Sequence, residues 1–124
     1  MKVNQQAYWG YHLILDCKSC VIGTIKDADT IRQFAKTLVE KIAMKAFGEP
    51  IVEHFATHEP ATGGYSLVQL IETSCITGHF VDQNGDAYLD IFSCQSFNLD
   101  KAQAVVQAFF KPEKITVTYL TRQA

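Results

Sequence analysis

The sequence lacks any apolar run of the roughly 20 residues that a membrane-spanning helix requires. Residues 1–6 are polar and no apolar signal core follows them, so we expect a cytoplasmic protein without a membrane partner. An excess of positive charge is also missing, since 11 Lys and Arg face 13 Asp and Glu for a net charge of −2. Because binding to a phosphate backbone depends on such an excess, we expect no nucleic-acid partner.

Proline is scarce as well, with 3 residues in 124, and no repeat, low-complexity tract or linker interrupts the chain. Hydrophobic residues make up 48% of the sequence. A chain of this length and composition forms one domain, 1–124, whose core is large enough to fold without disulfides or metals.

The four cysteines are therefore expected to be thiols rather than a disulfide framework. Cys17 and Cys20 are separated by two residues, the spacing of a zinc knuckle or a redox pair. A structural zinc site needs two further ligands, and no second Cys-x-x-Cys or His-x-x-x-His supplies them. A redox pair should open a helix, whereas 21–24 has the composition of a strand or loop. We interpret the pair as incidental, with a thiol or metal protein as a remote alternative.

Two segments have the apolar spacing of helices. The first prediction is a helix over 28–46, which Asp27 or Asp29 caps and which Gly48 and Pro50 end. The second is a helix over 101–110, which Asp100 caps. The apolar stripe of the first helix consists of Ile31, Phe34, Ala35, Leu38, Ile42 and Ala43.

The remaining apolar segments are predicted strands, over 8–17, 51–57, 87–94 and 115–121. Segment 65–81 is predicted to form two strands joined at a bend near Ser74 and Gly78, and Asn84 with Gly85 predicts a hairpin turn. This order predicts an α+β fold, a two-layer α/β sandwich with an antiparallel-rich sheet and two helices on one face. Apolar residues on the other face of the middle strands predict a partner subunit, and hence a homodimer.

Four residues in the middle of the chain have side chains suited to catalysis. Ser74 lies 8 residues after Ser66, His79 lies 5 after Ser74, and Cys94 lies 15 after His79. Taken singly, each has an ordinary structural interpretation, as a surface serine, a hydrogen-bonded histidine or a small buried thiol. Their spacing carries more information than their types.

Segments 64–79 and 86–94 resemble the core of the small prokaryotic S-adenosylmethionine decarboxylases, the pyruvoyl enzymes of spermidine synthesis. That family has a Gly-x-Ser at the start of a strand and a second Ser 8 residues on, as here at Ser66 and Ser74. Its His follows 5 residues later, and its Cys, 15 beyond the His, ends an Ala-x-x-Asp-x-Phe-x-Cys strand. All three intervals match without a gap, and the order of elements is that of the family's sandwich.

The resemblance implies that the chain cleaves itself at Thr73-Ser74, when the Ser74 hydroxyl attacks the carbonyl of Thr73. His79 would remove the α-proton of Ser74, and Ser66 would help to hold the oxyanion. The product would carry a pyruvoyl cofactor derived from Ser74, a ketone that condenses with the amine of S-adenosylmethionine. Carbon dioxide would leave, and Cys94 would return a proton as general acid. No metal is implied.

The residues that would bind the substrate depart from the family pattern. The family cleaves between Glu and Ser, whereas Glu72 lies one place before Thr73 here. The family's Thr-Trp-Pro-Glu after the His is replaced by a segment in which Phe80, Asp82 and Gln83 are the substitutes. Phe55 could stack on an adenine or face a sulfonium. We therefore assign Phe55, Glu72, Phe80, Asp82 and Gln83 to substrate binding.

Two alternatives to an S-adenosylmethionine decarboxylase stay open at this point. One is a relative that acts on another amino acid, such as ornithine or arginine. The other is an unprocessed, non-enzymatic relative that serves as a partner subunit.

Overall fold

The computed structural model describes residues 7–56 and 58–124, and within them the chain forms six strands and three helices. In chain order they are β1 (Gly10–Lys18), α1 (Ile22–Ile25), α2 (Ala28–Lys41), β2 (Ile51–Phe55), β3 (Gly64–Ile71), β4 (Ser74–Phe80), β5 (Ala87–Ser93), α3 (Leu99–Phe110) and β6 (Lys114–Arg122).

The strands form one sheet in the order β2-β3-β4-β5-β1-β6, and every neighbouring pair is antiparallel. Alternate residues of the inner strands are buried on one face, as Leu13, Ile76 and Leu89 illustrate. The helices supply the rest of the same core, where the Phe110 ring lies 4.7 Å from Phe34 and 5.1 Å from Phe80. The predicted α+β sandwich with an antiparallel sheet is confirmed.

Helix α2 ends at Lys41, so the predicted end at residue 46 is wrong. Ala43 has a φ of +58°, and the amide of Met44 turns back to the carbonyl of Val39. The chain therefore leaves the helix through a left-handed residue that is not a glycine, and Gly48 follows the end rather than causing it.

Other boundaries also differ from the sequence predictions. Helix α3 is capped by Asn98, whose side chain accepts the amide of Lys101 at 3.0 Å, rather than by Asp100. Helix α1 was not predicted, and it occupies residues that were expected to form a strand or loop. Strand β2 ends at Phe55, and Thr57, which was predicted to end it, lies outside the described residues.

The predicted bend at Gly78 is wrong, although β3 and β4 are the two strands that were expected. Gly78 lies within β4, paired with Leu67 on one side and Leu89 on the other. A Cβ at this position would lie 2.7 Å from the Leu89 side chain, so glycine serves the close approach of a neighbour rather than a turn. Strand β4 is therefore uninterrupted.

One face of the sheet has no helix over it, and we call it the open face. Its strands carry large apolar side chains that are about half exposed, together with a His12–Asp90 pair at 2.9 Å. The exposed apolar residues there are Ile51, Phe55, Leu70, Tyr88 and Leu120. Separately, none of the described helices is both long and apolar enough to cross a bilayer.

Gly64 provides a test of this architecture. A Cβ at Gly64 would lie 1.6 Å from the carbonyl oxygen of Phe80, so Gly64→Ala must displace the backbone of β3 or β4. We expect it to lower the free energy of unfolding by about 3 kcal/mol, measured by urea denaturation. Gly23→Ala is the matched control, because nothing lies within 4 Å of the added atom, and its midpoint should stay near that of the unsubstituted chain. Equal urea midpoints for the two variants would contradict the close approach of Gly64 to the Phe80 carbonyl.

Candidate active site

Ser74 is the first residue of β4, directly after the turn that joins β4 to β3. Its φ is +156°, an angle that residues with a side chain rarely adopt. The carbonyl of Thr73, the residue before it, accepts the backbone N–H of Cys94 at 2.9 Å. An amide donor thus already lies on the carbonyl oxygen that an attack by Ser74 would make negative.

A second set of contacts holds the Thr73 side chain. The Ser93 hydroxyl donates to Thr73 Oγ1 at 2.7 Å and accepts the amide of Gln95 at 3.0 Å. Thr73 Oγ1 in turn donates to Met44 Sδ at 3.3 Å. Ser93 is fully buried, so this cluster fixes the Thr73-Ser74 peptide from the helix side of the sheet.

Sequence reasoning missed Ser93 and Met44. Ser93 continues the buried alternation of β5, which is a detectable signal for a polar residue held in the core. Met44 carries no such signal. It reaches Thr73 because the chain turns back after α2, where the Met44 amide donates to the Val39 carbonyl.

Ser66 and His79 form a second centre, at the other end of β4. They lie directly opposite each other on β3 and β4, with Ser66 Oγ 3.0 Å from His79 Nδ1. His79 Nε2 lies 2.7 Å from the carbonyl oxygen of Thr62. A carbonyl can only accept, so Nε2 carries the proton, and in the neutral ring Nδ1 accepts the Ser66 hydroxyl. This pair can pass a proton between the hydroxyl and the imidazole.

A single chain does not bring the two centres together. Ser74 and His79 are five residues apart on a continuous strand, which corresponds to about 16 Å. The mechanism that the resemblance implies needs His79 beside Ser74 and Cys94, and a single chain does not place it there, because β4 does not bend at Gly78. Ser74 and Cys94 share one end of β4, and Ser66 and His79 share the other.

The residues assigned to substrate binding are dispersed. Phe55 ends β2 opposite Gly64, on the open face and 54% exposed, and it lies diagonally across from Ser66 on β3. Phe80 is fully buried against Phe110, so its ring belongs to the core rather than to a binding surface.

Asp82 and Gln83 follow β4 and line a cavity of about 320 Å³ together with His54 and Lys26. Asp82 Oδ2 lies 2.6 Å from His54 Nε2, and Oδ1 is buried without a hydrogen-bond partner among the described residues. Glu72 lies in the β3–β4 turn, where its carboxylate is 3.6 Å from Lys45 Nζ.

A larger cavity, of about 420 Å³, lies at the Ser74 end of the sheet and is lined by Trp9, Phe92, Arg122 and the last two residues. The Trp9 ring lies 6.2 Å from that of Phe92, and the Arg122 guanidinium lies over the Phe92 ring at 5.4 Å. Phe92 pairs directly with Cys75, the residue after Ser74. Phe92 is the Phe of the Ala-x-x-Asp-x-Phe-x-Cys pattern, and that pattern alone gives no sign of this cavity.

In the described part of the chain, no group of three or more His, Cys, Asp or Glu side chains is arranged to hold a metal ion. The four cysteines are thiols.

Two comparisons with known proteins give matches that cover most of the chain. A family model described as S-adenosylmethionine decarboxylase matches residues 11–123. The fold is similar to the crystal structure of the adenosylmethionine decarboxylase from Aquifex aeolicus VF5, with a TM-score of 0.77 and 19% sequence identity over 94% of this chain and 92% of that one. A search of curated proteins gives no significant match.

A double-mutant cycle tests the Ser66–His79 contact. Ser66→Ala and His79→Phe each remove one partner of the hydrogen bond, so their effects on the free energy of unfolding should couple by about 1 kcal/mol. The control cycle pairs Ser66→Ala with His12→Phe. Three strand spacings separate these two residues, so this cycle should be additive within about 0.5 kcal/mol. Additivity in both cycles would show that the Ser66–His79 contact is absent in solution.

Proposed function

Because the chain belongs to the S-adenosylmethionine decarboxylase family, we propose that it is a proenzyme that cleaves itself at Thr73-Ser74 and then decarboxylates S-adenosylmethionine for spermidine and polyamine synthesis. The observation that carries this proposal is the hydrogen bond from the Cys94 amide to the Thr73 carbonyl, at a peptide followed by an unusual φ.

The first step of self-cleavage uses groups of a single chain. Ser74 Oγ attacks the carbonyl carbon of Thr73, and the negative charge that develops on the oxygen is stabilised by the Cys94 N–H. One such donor typically contributes about 3 kcal/mol to a step of this kind. The carbon–nitrogen bond then breaks, the Ser74 nitrogen takes the hydroxyl proton, and the peptide becomes an ester. The backbone at Ser74 is released from its strained angle.

The second step needs a base for the α-proton of Ser74. When that proton leaves, the Cβ–Oγ bond of Ser74 breaks and a double bond forms between its Cα and Cβ. The N-terminal fragment departs as a carboxylate at Thr73 that keeps the Ser74 oxygen. One water then adds and one ammonia leaves, so that a pyruvoyl group replaces Ser74. His79 is the base that the family pattern assigns.

His79 of the same chain is about 16 Å away along β4, so we propose that the base comes from a second copy. When two open faces pack together about a two-fold axis that lies between them and runs perpendicular to β4, the β4 strands of the two copies run in opposite directions. The Ser74 end of one copy then lies over the His79 end of the other. The half-exposed apolar residues of the open face supply the surface that such a homodimer buries. Each site then combines Ser74 and Cys94 of one chain with Ser66, His79 and Phe55 of its partner.

The residues around Ser74 fit a pyruvoyl group and its substrate. A pyruvoyl group is a ketone that draws electrons from the carbon losing carbon dioxide, as pyridoxal phosphate does elsewhere. Cys94, whose amide already meets Thr73, holds the thiol that donates a proton to that carbon. Trp9 and Phe92 provide aromatic surface for the adenine, and Arg122 provides a positive charge for the carboxylate. Asp82 and Gln83 reach the site only from the partner's end of the sheet.

Mass spectrometry of the purified protein tests self-cleavage. We expect two fragments, 1–73 and 74–124. Their summed mass should equal the mass of the intact chain plus one water minus one ammonia. The C-terminal fragment should be blocked to Edman degradation. Ser74→Ala should remain intact, and Ser96→Ala, a serine just beyond β5, should be cleaved like the unsubstituted chain. A chain that stays whole after long incubation would refute the enzyme proposal and favour a non-enzymatic partner subunit.

Mixing two inactive variants tests the shared site. Ser74→Ala lacks the nucleophile and His79→Ala lacks the base, so neither should cleave alone. In a mixed dimer, one site combines the intact Ser74 of one chain with the intact His79 of the other. If dimers form at random, about half of the His79→Ala chains should be cleaved after co-expression.

The control for this experiment is Ser74→Ala mixed with the double variant Ser74→Ala/His79→Ala. This mixture holds no intact Ser74 and should give no cleavage. Cleavage of His79→Ala expressed alone, without the Ser74→Ala variant, would show instead that a base other than His79 acts.

A further inference from the structure

Residues 44–47, which follow α2, lie against the turn that joins β3 to β4. The amide of Glu72 donates to the carbonyl of Lys45 at 2.9 Å, and the next residue of the segment forms an antiparallel bridge with the end of β3. Thr73 follows Glu72 in this turn, so the segment reaches the peptide that the proposed self-cleavage breaks. Backbone contacts therefore already hold the turn on the side of α2.

The Thr73 hydroxyl lies within a chain of hydrogen bonds that all run in one direction. The amide of Gln95 donates to Ser93 Oγ at 3.0 Å, Ser93 Oγ donates to Thr73 Oγ1 at 2.7 Å, and Thr73 Oγ1 donates to Met44 Sδ at 3.3 Å. Each hydroxyl thus accepts one hydrogen bond and donates another, which fixes the rotation of both. Because Ser93 is fully buried, water does not compete for these bonds.

Residues 93–95 hold Thr73 at two separate points. Ser93 binds its side chain, and the amide of Cys94 donates to its carbonyl at 2.9 Å. The side chain and the carbonyl lie on either side of the Cα–C bond of Thr73, so the two contacts together fix the rotation about that bond. They thereby fix the plane of the Thr73-Ser74 peptide. Ser74 pairs with Ser93 across β4 and β5, which keeps the attacking residue in register with the residue that holds its target.

The first step of self-cleavage depends on this orientation. Ser74 Oγ reaches the carbonyl carbon of Thr73 only when one face of the carbonyl is turned toward it. Holding two reacting groups in such an orientation removes part of the entropic barrier, and a displacement of about 1 Å can cost about 100-fold in rate. A contact that fixes the peptide plane therefore acts on the rate even though it exchanges no atom with the reacting groups.

We propose that Ser93 is a positioning residue for self-cleavage, which orients the Thr73-Ser74 peptide through the Thr73 hydroxyl. This inference rests on the proposed function, since it concerns the formation of the ester from that peptide. Met44 is the last acceptor of the hydrogen-bond chain and contributes less, because a thioether sulfur is a weak acceptor.

Hydroxylamine trapping isolates the step that Ser93 assists. Cell-free translation supplies the newly made full-length chain, and after translation is stopped an excess of hydroxylamine at neutral pH cuts the ester between Thr73 and Ser74 as it forms. Fragment 1–73 is the one counted by mass spectrometry, because hydroxylamine also attacks Asn-Gly peptides such as Asn84-Gly85. Ser74→Ala, which forms no ester, gives the background.

Three substitutions separate the hydroxyl contact from side-chain shape. Ser93→Ala should slow the appearance of fragment 1–73 by about tenfold, because the peptide loses one of its two points of attachment. Thr73→Val keeps the branched shape without the hydroxyl and should slow it equally. Thr73→Ser keeps the hydroxyl without the methyl group, and its rate should stay close to that of the unsubstituted chain.

The double variant Ser93→Ala/Thr73→Val separates positioning from a general loss of stability. Both substitutions remove the same hydrogen bond, so the double variant should be about as slow as either single variant, whereas independent effects would multiply to about 100-fold. Thr118→Val makes the matched change on β6, at the far edge of the sheet, and should leave the rate unchanged. Urea midpoints show that each variant is folded under the conditions of the assay.

Two results would overturn this inference while the proposed function stands. One is an unsubstituted chain that is cut while Ser93→Ala keeps pace with it. The other is a Thr73→Ser chain as slow as Thr73→Val, since the methyl group rather than the hydroxyl would then set the rate. An unsubstituted chain that yields no fragment 1–73 would refute self-cleavage itself, and the positioning role with it.

Discussion

The pairing of β4 between β3 and β5 fixes where each candidate side chain of the site lies. Hydrogen bonds along both edges keep β4 extended from Ser74 to Phe80, so its two ends are held apart by the rise of the strand. The same register places Ser66 opposite His79 and Ser74 opposite Ser93. A slip of one residue would move every side chain to the other face, so both centres depend on this register.

Much of the fold was predictable because it follows from apolar periodicity and turn chemistry. The stripe of α2, the Asn84-Gly85 turn and the alternation of β5 each depend on neighbours in sequence, and the structure contains all three. The end of α2 was not predictable in this way, because alanine has no preference of its own for the left-handed angle seen at residue 43. The amides of Ala43 and Met44 donate there to the carbonyls of Glu40 and Val39. Gly78 was misread for a similar reason, because a glycine that admits Leu89 and a glycine that bends a strand look alike in sequence.

The sequence nominates residues for the candidate site but does not give their arrangement. Spacing and resemblance point to Ser66, His79, Ser74 and Cys94, yet the five-residue interval from Ser74 to His79 does not say whether the chain bends between them, and the structure shows a continuous strand there. Contacts between segments distant in sequence were not predicted either, such as that of Met44 with Thr73 and that of Arg122 with Phe92. These depend on how helices and strands cross, which local patterns do not encode.

Association through the open face would also change the environment of the His12–Asp90 pair at its centre. In the single chain the Asp90 side chain is 44% exposed, and water screens its interaction with His12 at 2.9 Å. Covering the face removes that water, so the carboxylate must keep its partner or pay for desolvation alone. A paired His12 and Asp90 satisfies this condition in either state.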